Sequence, residues 1–392
     1  MSEFSETSQR RPDGPPLSRG IFRAAITRLT VTNFRCYAQA RLELDSRPVV
    51  LTGANGAGKT NLLEALSLLS PGRGLRGARL AELVRIGSDA PWGVAATLVR
   101  GDATHELGTG SDPANSERRL ARIDGAAARA TDLGSELAML WLTPQMDRLF
   151  AEGASARRRF FDRLVLGLDP THGTRSNRYE RALRQRARLL QEGRPDPAWL
   201  DGLEREMAET GVAIAAARRA YLERLVAALA LGNDAFPRPA IAVSGLVEEM
   251  LGRASALQAE DEFRQRLAAG RGADIAAGGT AIVGPHKSDV IVVHEAKDML
   301  AERCSTGEQK ALLISLILAA SQLTGAERGA TPVLLLDEVA AHLDPDRRLA
   351  LYGALEALGG QFWLTGTEPG PFQPLLEKAQ FFDVRDASVS RL

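Results

Sequence analysis

The chain has 392 residues, 44% of them apolar and 25% charged, which allows two or three domains and a sizeable buried core. Its 49 basic and 49 acidic residues cancel, which argues against wholesale coating of nucleic acid, so any DNA site must come from local clusters of Arg. Two distant cysteines, Cys36 and Cys304, and five histidines at no metal-ligand spacing exclude a disulfide framework and a zinc site, and they fit a reducing cytoplasm.

Residues 1–21 read as a disordered polar tail that lacks the apolar run of a signal peptide. No stretch approaches the ~20 apolar residues of a membrane span, so no membrane partner is expected. From 22 to 155 the pattern is α/β. Residues 26–33 and 40–44 alternate like a hairpin, and Val49–Thr52 is a short buried strand entering a glycine-rich turn. A helix follows over 61–69, then strands near Gly93–Arg100, 105–109 and 119–123, joined by Gly, Asp and Asn turns. From 156 to 279 the sequence changes to long helices rich in Arg, Glu, Ala and Leu, broken at 193–197 and 232–239 and closed by a glycine-rich linker over 270–280. From 280 to 392 the α/β pattern resumes, with an apolar helix over 312–323 and buried strands at Val333–Leu336 and 361–365.

The nucleotide chemistry is carried by three motifs. Gly53-Ala54-Asn55-Gly56-Ala57-Gly58-Lys59-Thr60 is a complete P-loop between a strand and a helix. Its glycines let backbone N–H groups turn inward around phosphates, and the helix N-terminus adds partial positive charge. Lys59 is placed for the β- and γ-phosphates of ATP, and the Thr60 hydroxyl for Mg2+. A ligand-free strand–helix turn would not need all eight positions. Further on, an apolar strand delivers Asp337 and Glu338 at its carboxyl end, Asp337 as the second Mg2+ partner and Glu338 as the general base on the attacking water.

The third motif, Ser305-Thr306-Gly307-Glu308-Gln309-Lys310, resembles the ABC signature, with Ser305, Gly307 and Gln309 facing the γ-phosphate held by an opposite subunit. Ser305 with Glu308 also fits a helix capping box. Ala341-His342-Leu343-Asp344 resembles a D-loop, and Gln145 stands where a Q-loop glutamine couples nucleotide to the inserted helices. Where ABC transporters carry a switch histidine this chain has Thr365-Gly366-Thr367, so slow hydrolysis is expected. The fold class that follows is α/β: an ABC-type P-loop ATPase head, 22–155 and 280–392, split by a helical arm domain over 156–279.

Lys59 and Asp337 are 278 residues apart, more than a compact transporter ATPase needs and far too few for the coiled-coil arms of SMC proteins. Past residue 22 the chain resembles the RecF family of recombination mediators. The residues that carry the resemblance are Leu29-Thr30-Val31-Thr32-Asn33-Phe34-Arg35-Cys36-Tyr37, Ala156-Arg157-Arg158-Arg159-Phe160-Phe161-Asp162, Gly284-Pro285-His286-Lys287-Ser288-Asp289 and the signature. It departs from the family at Pro144-Gln145-Met146-Asp147, where the family has Pro-Glu-Asp-Leu, and at Lys287-Ser288, leaving Asp289 as the position that carries over. The resemblance implies a homodimer formed on ATP binding, double-stranded and gapped DNA as ligand, and cooperation with RecR and RecO in loading RecA. The alternative is an ABC-type engine coupled to a transport or ribosomal partner.

Two Arg clusters are candidate DNA contacts. Arg157, Arg158, Arg159 and Arg163 form one, which equally suits a salt-bridge network behind the ATP site. Arg175, Arg178, Arg181, Arg184 and Arg188 form the other, stepping along one helix face, where phosphate contacts or local Glu partners such as Glu180 and Glu192 are the competing readings.

Overall fold

The computed structural model describes residues 21–192, 196–232, 235–341 and 343–392. Most of the expected tail (1–20), the break at 193–195 and His342 lie outside the described residues. Strand β1 (Ala24–Phe34) turns back into β2 (Tyr37–Glu43), antiparallel from Arg28↔Glu43 to Phe34↔Tyr37. Then come β3 (Val49–Thr52), α1 (Lys59–Ser67), β4 (Gly93–Arg100), β5 (Ala103–Asp112), β6 (Asn115–Ile123), β7 (Ala126–Ala128), α2 (Ala130–Glu136) and β8 (Met139–Leu142). The helical part holds α3 (Ala154–Leu168), α4 (His172–Gln191), α5 (Pro197–Ala230), β9 (Pro239–Ser244), α6 (Leu246–Arg253), α7 (Ala256–Ala269) and α8 (Arg271–Ala276). The chain finishes with β10 (Asp289–His294), β11 (Met299–Leu300), α9 (Thr306–Arg328), β12 (Val333–Leu336), α10 (Pro345–Leu358), β13 (Phe362–Gly366), β14 (Gln380–Arg385) and β15 (Ser388–Arg391).

Two six-stranded sheets sandwich α1. One is antiparallel, in the order β2-β1-β4-β5-β6-β7. The other runs β15-β14-β3-β13-β12-β8, and its five strands from β14 to β8 are parallel. Val49–Thr52 and Val333–Leu336 are buried along their whole length, as strands covered on both faces must be. Leu62, Leu63 and Leu66 of α1 pack between the sheets with Ile26, Leu51 and Trp363. On the opposite face α9 lies against Val50, Leu140, Leu336 and Leu364. Each such leucine contributes about 1.5–3 kcal/mol by leaving water. By length and composition α9 is apolar enough to cross a membrane, but 78% of its most apolar window is buried inside the protein, where it forms the core of the head.

The arm is built on the α4–α5 helix pair, closed by α6, α7 and α8 around Met207, Phe263 and Leu267. Two expectations are corrected here. The stretch over 270–280 contains α8 rather than a plain linker, because its buried Asp274 accepts a bond from Arg186 Nη1 at 2.8 Å and one from the Ile282 N–H at 2.9 Å. The helical insert also contains a strand: β9 pairs with β10 from Asp289↔Ser244 to His294↔Pro239, in a small sheet ordered β11-β10-β9.

At the base of the arm the two quoted motifs of 156–162 and 284–289 meet. Arg157 forms a two-pronged pair with Asp289, at 2.9 and 2.8 Å, and Arg158 donates to the Ser288 carbonyl. Arg218 clasps Asp162 at 2.8 Å on both prongs and donates to the Pro285 carbonyl, while Ser288 donates to Glu248. Arg163 lies 4.0 Å over the Trp141 ring. Of the first Arg cluster, Arg157 and Arg158 are thus tied to 288–289 and Arg163 packs on Trp141, whereas Arg159 donates to Ser155 within α3.

His286 sits in the same neck. Its Nε2 donates to the Ala281 carbonyl at 2.8 Å, which leaves Nδ1 to accept from the Tyr179 hydroxyl at 2.7 Å. Burial pushes its pKa down to about 4. An unfolded chain, with His near 6.5, binds more protons between those values, so this contribution to stability is complete above about pH 6.5 and is lost as pH falls toward 4. Urea midpoints at pH 7 and pH 5 should diverge more for the wild type than for His286→Gln; equal divergence would refute it.

Candidate nucleotide-binding site

The parallel sheet places the P-loop, the Asp337-Glu338 pair, Thr365 and Gln145 at the carboxyl edges of its strands, where α/β folds hold ligands. The P-loop follows β3, Asp337 and Glu338 follow β12, Thr365 is the penultimate residue of β13 between them, and Gln145 lies in the 3-10 turn Pro144–Arg148 after β8. The glycines are required by geometry. Gly53 has φ 148°, and a Cβ there would come within 2.1 Å of the Val384 carbonyl oxygen on β14. Gly58 has φ 119°, and its Cβ would meet the Tyr37 hydroxyl at 2.5 Å. Gly56, at φ 82°, is exposed at the tip beside Ala54 and Asn55, with Ala57 half-buried behind it. Beside this loop opens a cavity of about 670 Å3 lined by Gly53, Asn55, Thr367, Arg385 and Asp386.

Lys59 is only 4% exposed and donates from Nζ to the carbonyls of Gly53 and Ala54, at 2.6 and 2.8 Å. Burial lowers its pKa from the usual lysine value, while the charges of Glu338 and Asp337 pull it back up. Thr60 Oγ1 is 3.0 Å from both carboxylate oxygens of Asp337. Thr365 Oγ1 donates to Asp337 Oδ1 at 2.7 Å and accepts from the Glu338 N–H at 2.8 Å. Glu338 is half-buried and held at φ 51°, a left-handed conformation that costs a non-glycine residue about 1–3 kcal/mol and marks functional sites.

These residues fit a magnesium nucleotide. A buried cation bonded to two carbonyls, a tight loop with glycine at positions 53, 56 and 58, and one hydroxyl beside one carboxylate are what phosphate and Mg2+ require.

The signature residues stand elsewhere. Ser305 is exposed and caps α9, its hydroxyl donating to Glu308 Oε2 at 2.8 Å in a capping box. Gly307 follows in the first turn. Gln309 does not present its side chain to a ligand as expected: it is buried and donates to the Cys304 carbonyl at 2.9 Å, bracing the turn before the helix. Lys310 is also buried and joins three loops, donating to the Ala341 carbonyl at 2.9 Å and pairing with Asp147, beside the exposed Gln145, at 3.3 Å. No bond among the described residues links Ser305, Gly307 or Gln309 to the P-loop.

Of the arginines on α4, Arg175 pairs with Asp169, Arg178 with Glu206 and Glu209, Arg184 with Glu180 and Arg188 with Glu192. Arg181 alone among them is exposed with no ion pair among the described residues. Sequence reasoning marked Thr365 only within the Thr365-Gly366-Thr367 run that stands where a switch histidine would, and it passed over the Tyr37 hydroxyl beneath Gly58 and the β14 wall at Val384.

A P-loop head with a helical arm grown from its middle is the architecture of an ATPase head of the SMC class. The RecF/RecN/SMC N terminal domain model matches residues 25–382. The chain is 51% identical over 370 residues to the DNA replication and repair protein RecF of Rhizobium rhizogenes, covering 93% of this chain and 98% of the relative. It is 50% identical to that of Agrobacterium fabrum, covering 94% and 99%. The fold superposes on the recombination mediator protein RecF-ATPrS of the RecFOR pathway with a TM-score of 0.83, at 23% identity and 96% and 100% coverage. It is similar to the SMC head of Pyrococcus furiosus, with a TM-score of 0.52 at 14% identity and 94% and 96% coverage. The chain belongs to the RecF family.

Proposed function

We propose that the chain is a slow ATPase that closes as a homodimer on double-stranded and gapped DNA in the cytoplasm, and that it assists RecA loading with RecR and RecO during recombinational repair. The observation that carries the reading is the separation of the two half-sites. Lys59, Thr60, Asp337 and Glu338 form one cluster, whereas the exposed Ser305 and the half-buried Gly307 stand at a helix start with no bond to it among the described residues. A site with both halves needs two copies of the chain. The curated relatives' name, DNA replication and repair protein, supports DNA as the ligand.

In this reading Lys59 transfers its Nζ from the Gly53 and Ala54 carbonyls to phosphate oxygens. Thr60 and Asp337 release each other to hold Mg2+, which supplies charge neutralisation for phosphoryl transfer. Glu338 takes the proton of the attacking water. Gly53 to Thr60 cradle the nucleotide, Gln145 reports its state toward the arm, and Ser305 with the Gly307 N–H closes the site from the partner copy. DNA contact by Arg175, Arg178, Arg181 and Arg184 belongs to the same proposal; three of them would exchange surface carboxylates, worth only about 0–1 kcal/mol each, for phosphates.

Glu338→Gln keeps the shape of the site and removes the base. With ATP and Mg2+ it should scatter light as a dimer and raise the anisotropy of a labelled duplex persistently, whereas the wild type releases it on turnover. A monomer under the same conditions refutes the clamp. A dimer that ignores DNA refutes the repair role alone.

A further inference from the structure

We propose that Thr365 is the positioning residue of the hydrolytic site: its hydroxyl joins the metal-binding Asp337 and the catalytic Glu338 into one unit, the work a switch histidine would otherwise share. The inference rests on the ATPase reading and concerns how this chain manages without that histidine.

Strand order provides the first reason. β13 lies between β3, which carries the P-loop, and β12, which carries the two carboxylates, so its last residues point between the two halves of the cluster. Thr365 is 1% exposed, and no bulk water competes for its hydroxyl. A hydroxyl has one proton. Here it goes to Asp337 Oδ1 at 2.7 Å, and a lone pair takes the Glu338 N–H at 2.8 Å. Two consecutive residues are thus fixed by one oxygen atom.

The second reason is backbone strain. Glu338 stands at φ 51°, and the N–H bond to Thr365 holds it there. Without that bond the peptide can relax toward ordinary φ, swinging the Glu338 carboxylate away from the water it must activate. Thr60 can leave Asp337 for a metal ion while the Thr365 bond keeps one carboxylate oxygen in place.

The third reason is steric. Gly366 cannot be replaced by a residue with a side chain in this packing, because a Cβ would lie 2.5 Å from Cε2 of the buried Phe372. A polar group can therefore not be supplied from position 366, and Thr365 is the nearest hydroxyl on the strand.

The test compares Thr365→Val, which keeps shape and loses the hydroxyl, with Thr365→Ser, which keeps the hydroxyl and loses a methyl. Steady-state ATP hydrolysis, fluorescent-nucleotide affinity and Mg2+ titration of turnover are read on all three proteins, with a urea midpoint to compare folding. The valine variant should lose about 10–100-fold in kcat and need several-fold more Mg2+, with nucleotide affinity within about threefold of wild type. The serine variant should recover most of the rate. Wild-type turnover and Mg2+ dependence in the valine variant overturn the proposal, and so does a serine variant as slow as the valine one, since the methyl packing would then be what matters. If the valine variant unfolds, the serine comparison alone decides. A wild type that neither binds nor hydrolyses ATP defeats the ATPase reading instead.

Discussion

Lys59→Ala should weaken ATP binding by at least about 100-fold, near 2.7 kcal/mol at 1.36 kcal/mol per decade, and leave the fold standing. The lysine is the one cation bonded inside the P-loop, where Nζ is satisfied by the Gly53 and Ala54 carbonyls and faces the charges of Asp337 and Glu338. Without it the phosphates would approach the Gly53 and Ala54 carbonyls and the nearby Asp337 and Glu338 with no side-chain cation bonded inside the loop. Charge-assisted hydrogen bonds of this kind are worth about 1.5–3 kcal/mol, and lost compensation of the acidic pair adds to that. Folding should change little, because Gly53, Gly58 and their close neighbours Val384 and Tyr37 are untouched. Titration calorimetry or a fluorescent ATP analogue reads the affinity directly. A value within threefold of wild type would contradict the assignment of this loop.

Arg186→Met should cost about 3–5 kcal/mol of stability while leaving nucleotide affinity unchanged. Arg186 is completely buried in the arm, with Nε 2.9 Å from Glu204 Oε1, Nη1 2.8 Å from Asp274 Oδ2 and Nη2 2.8 Å from the Leu267 carbonyl. Both carboxylates are themselves 1% exposed. Arg271 reaches Glu204 from the rim at 2.6 Å and can cover part of that charge, but among the described residues no other cation pairs with Asp274. Removing one partner of a buried set strands the others, and that penalty exceeds the worth of the pair itself. The lower urea midpoint should appear in a transition of the arm helices. A loss under about 1 kcal/mol would mean that the carboxylates are protonated or hydrated in the folded arm.

The two cases also mark what could be read from residues alone. The P-loop is contiguous, and its strand (Val49–Thr52) and the carboxylate strand (Val333–Leu336) carry their signal in short apolar runs with punctuation, so their bounds match the structure. The mixed head with helices inserted was legible from the change of periodicity near 156. The arm's ion cluster was not, because Arg186 and Asp274 are 88 residues apart and neither disturbs a helical pattern. Helix α8 was hidden by the glycines around it, and its reason for being a helix is the buried Asp274. Gln309 looked like a ligand contact because it lies inside the stretch that resembles the signature; only packing shows its amide turned toward the Cys304 carbonyl. The α4 arginines look like a basic stripe in sequence, yet their carboxylate partners come largely from Asp169, Glu180, Glu192 and the facing α5.

Strand β14 carries a consequence for biosynthesis. It pairs with β3 along Gln380↔Val49 to Asp383↔Thr52, and the Thr52 hydroxyl donates to the Phe382 carbonyl 330 residues away. At about 5–20 residues per second, a ribosome needs roughly 15–70 s to make the sequence between these partners. Throughout that interval the nucleotide loop lacks one wall, and the edge of β3 is open to wrong pairing. Nascent chains should therefore acquire ATP affinity late and abruptly, when the 380–385 segment emerges, with chaperone dependence concentrated in the preceding delay.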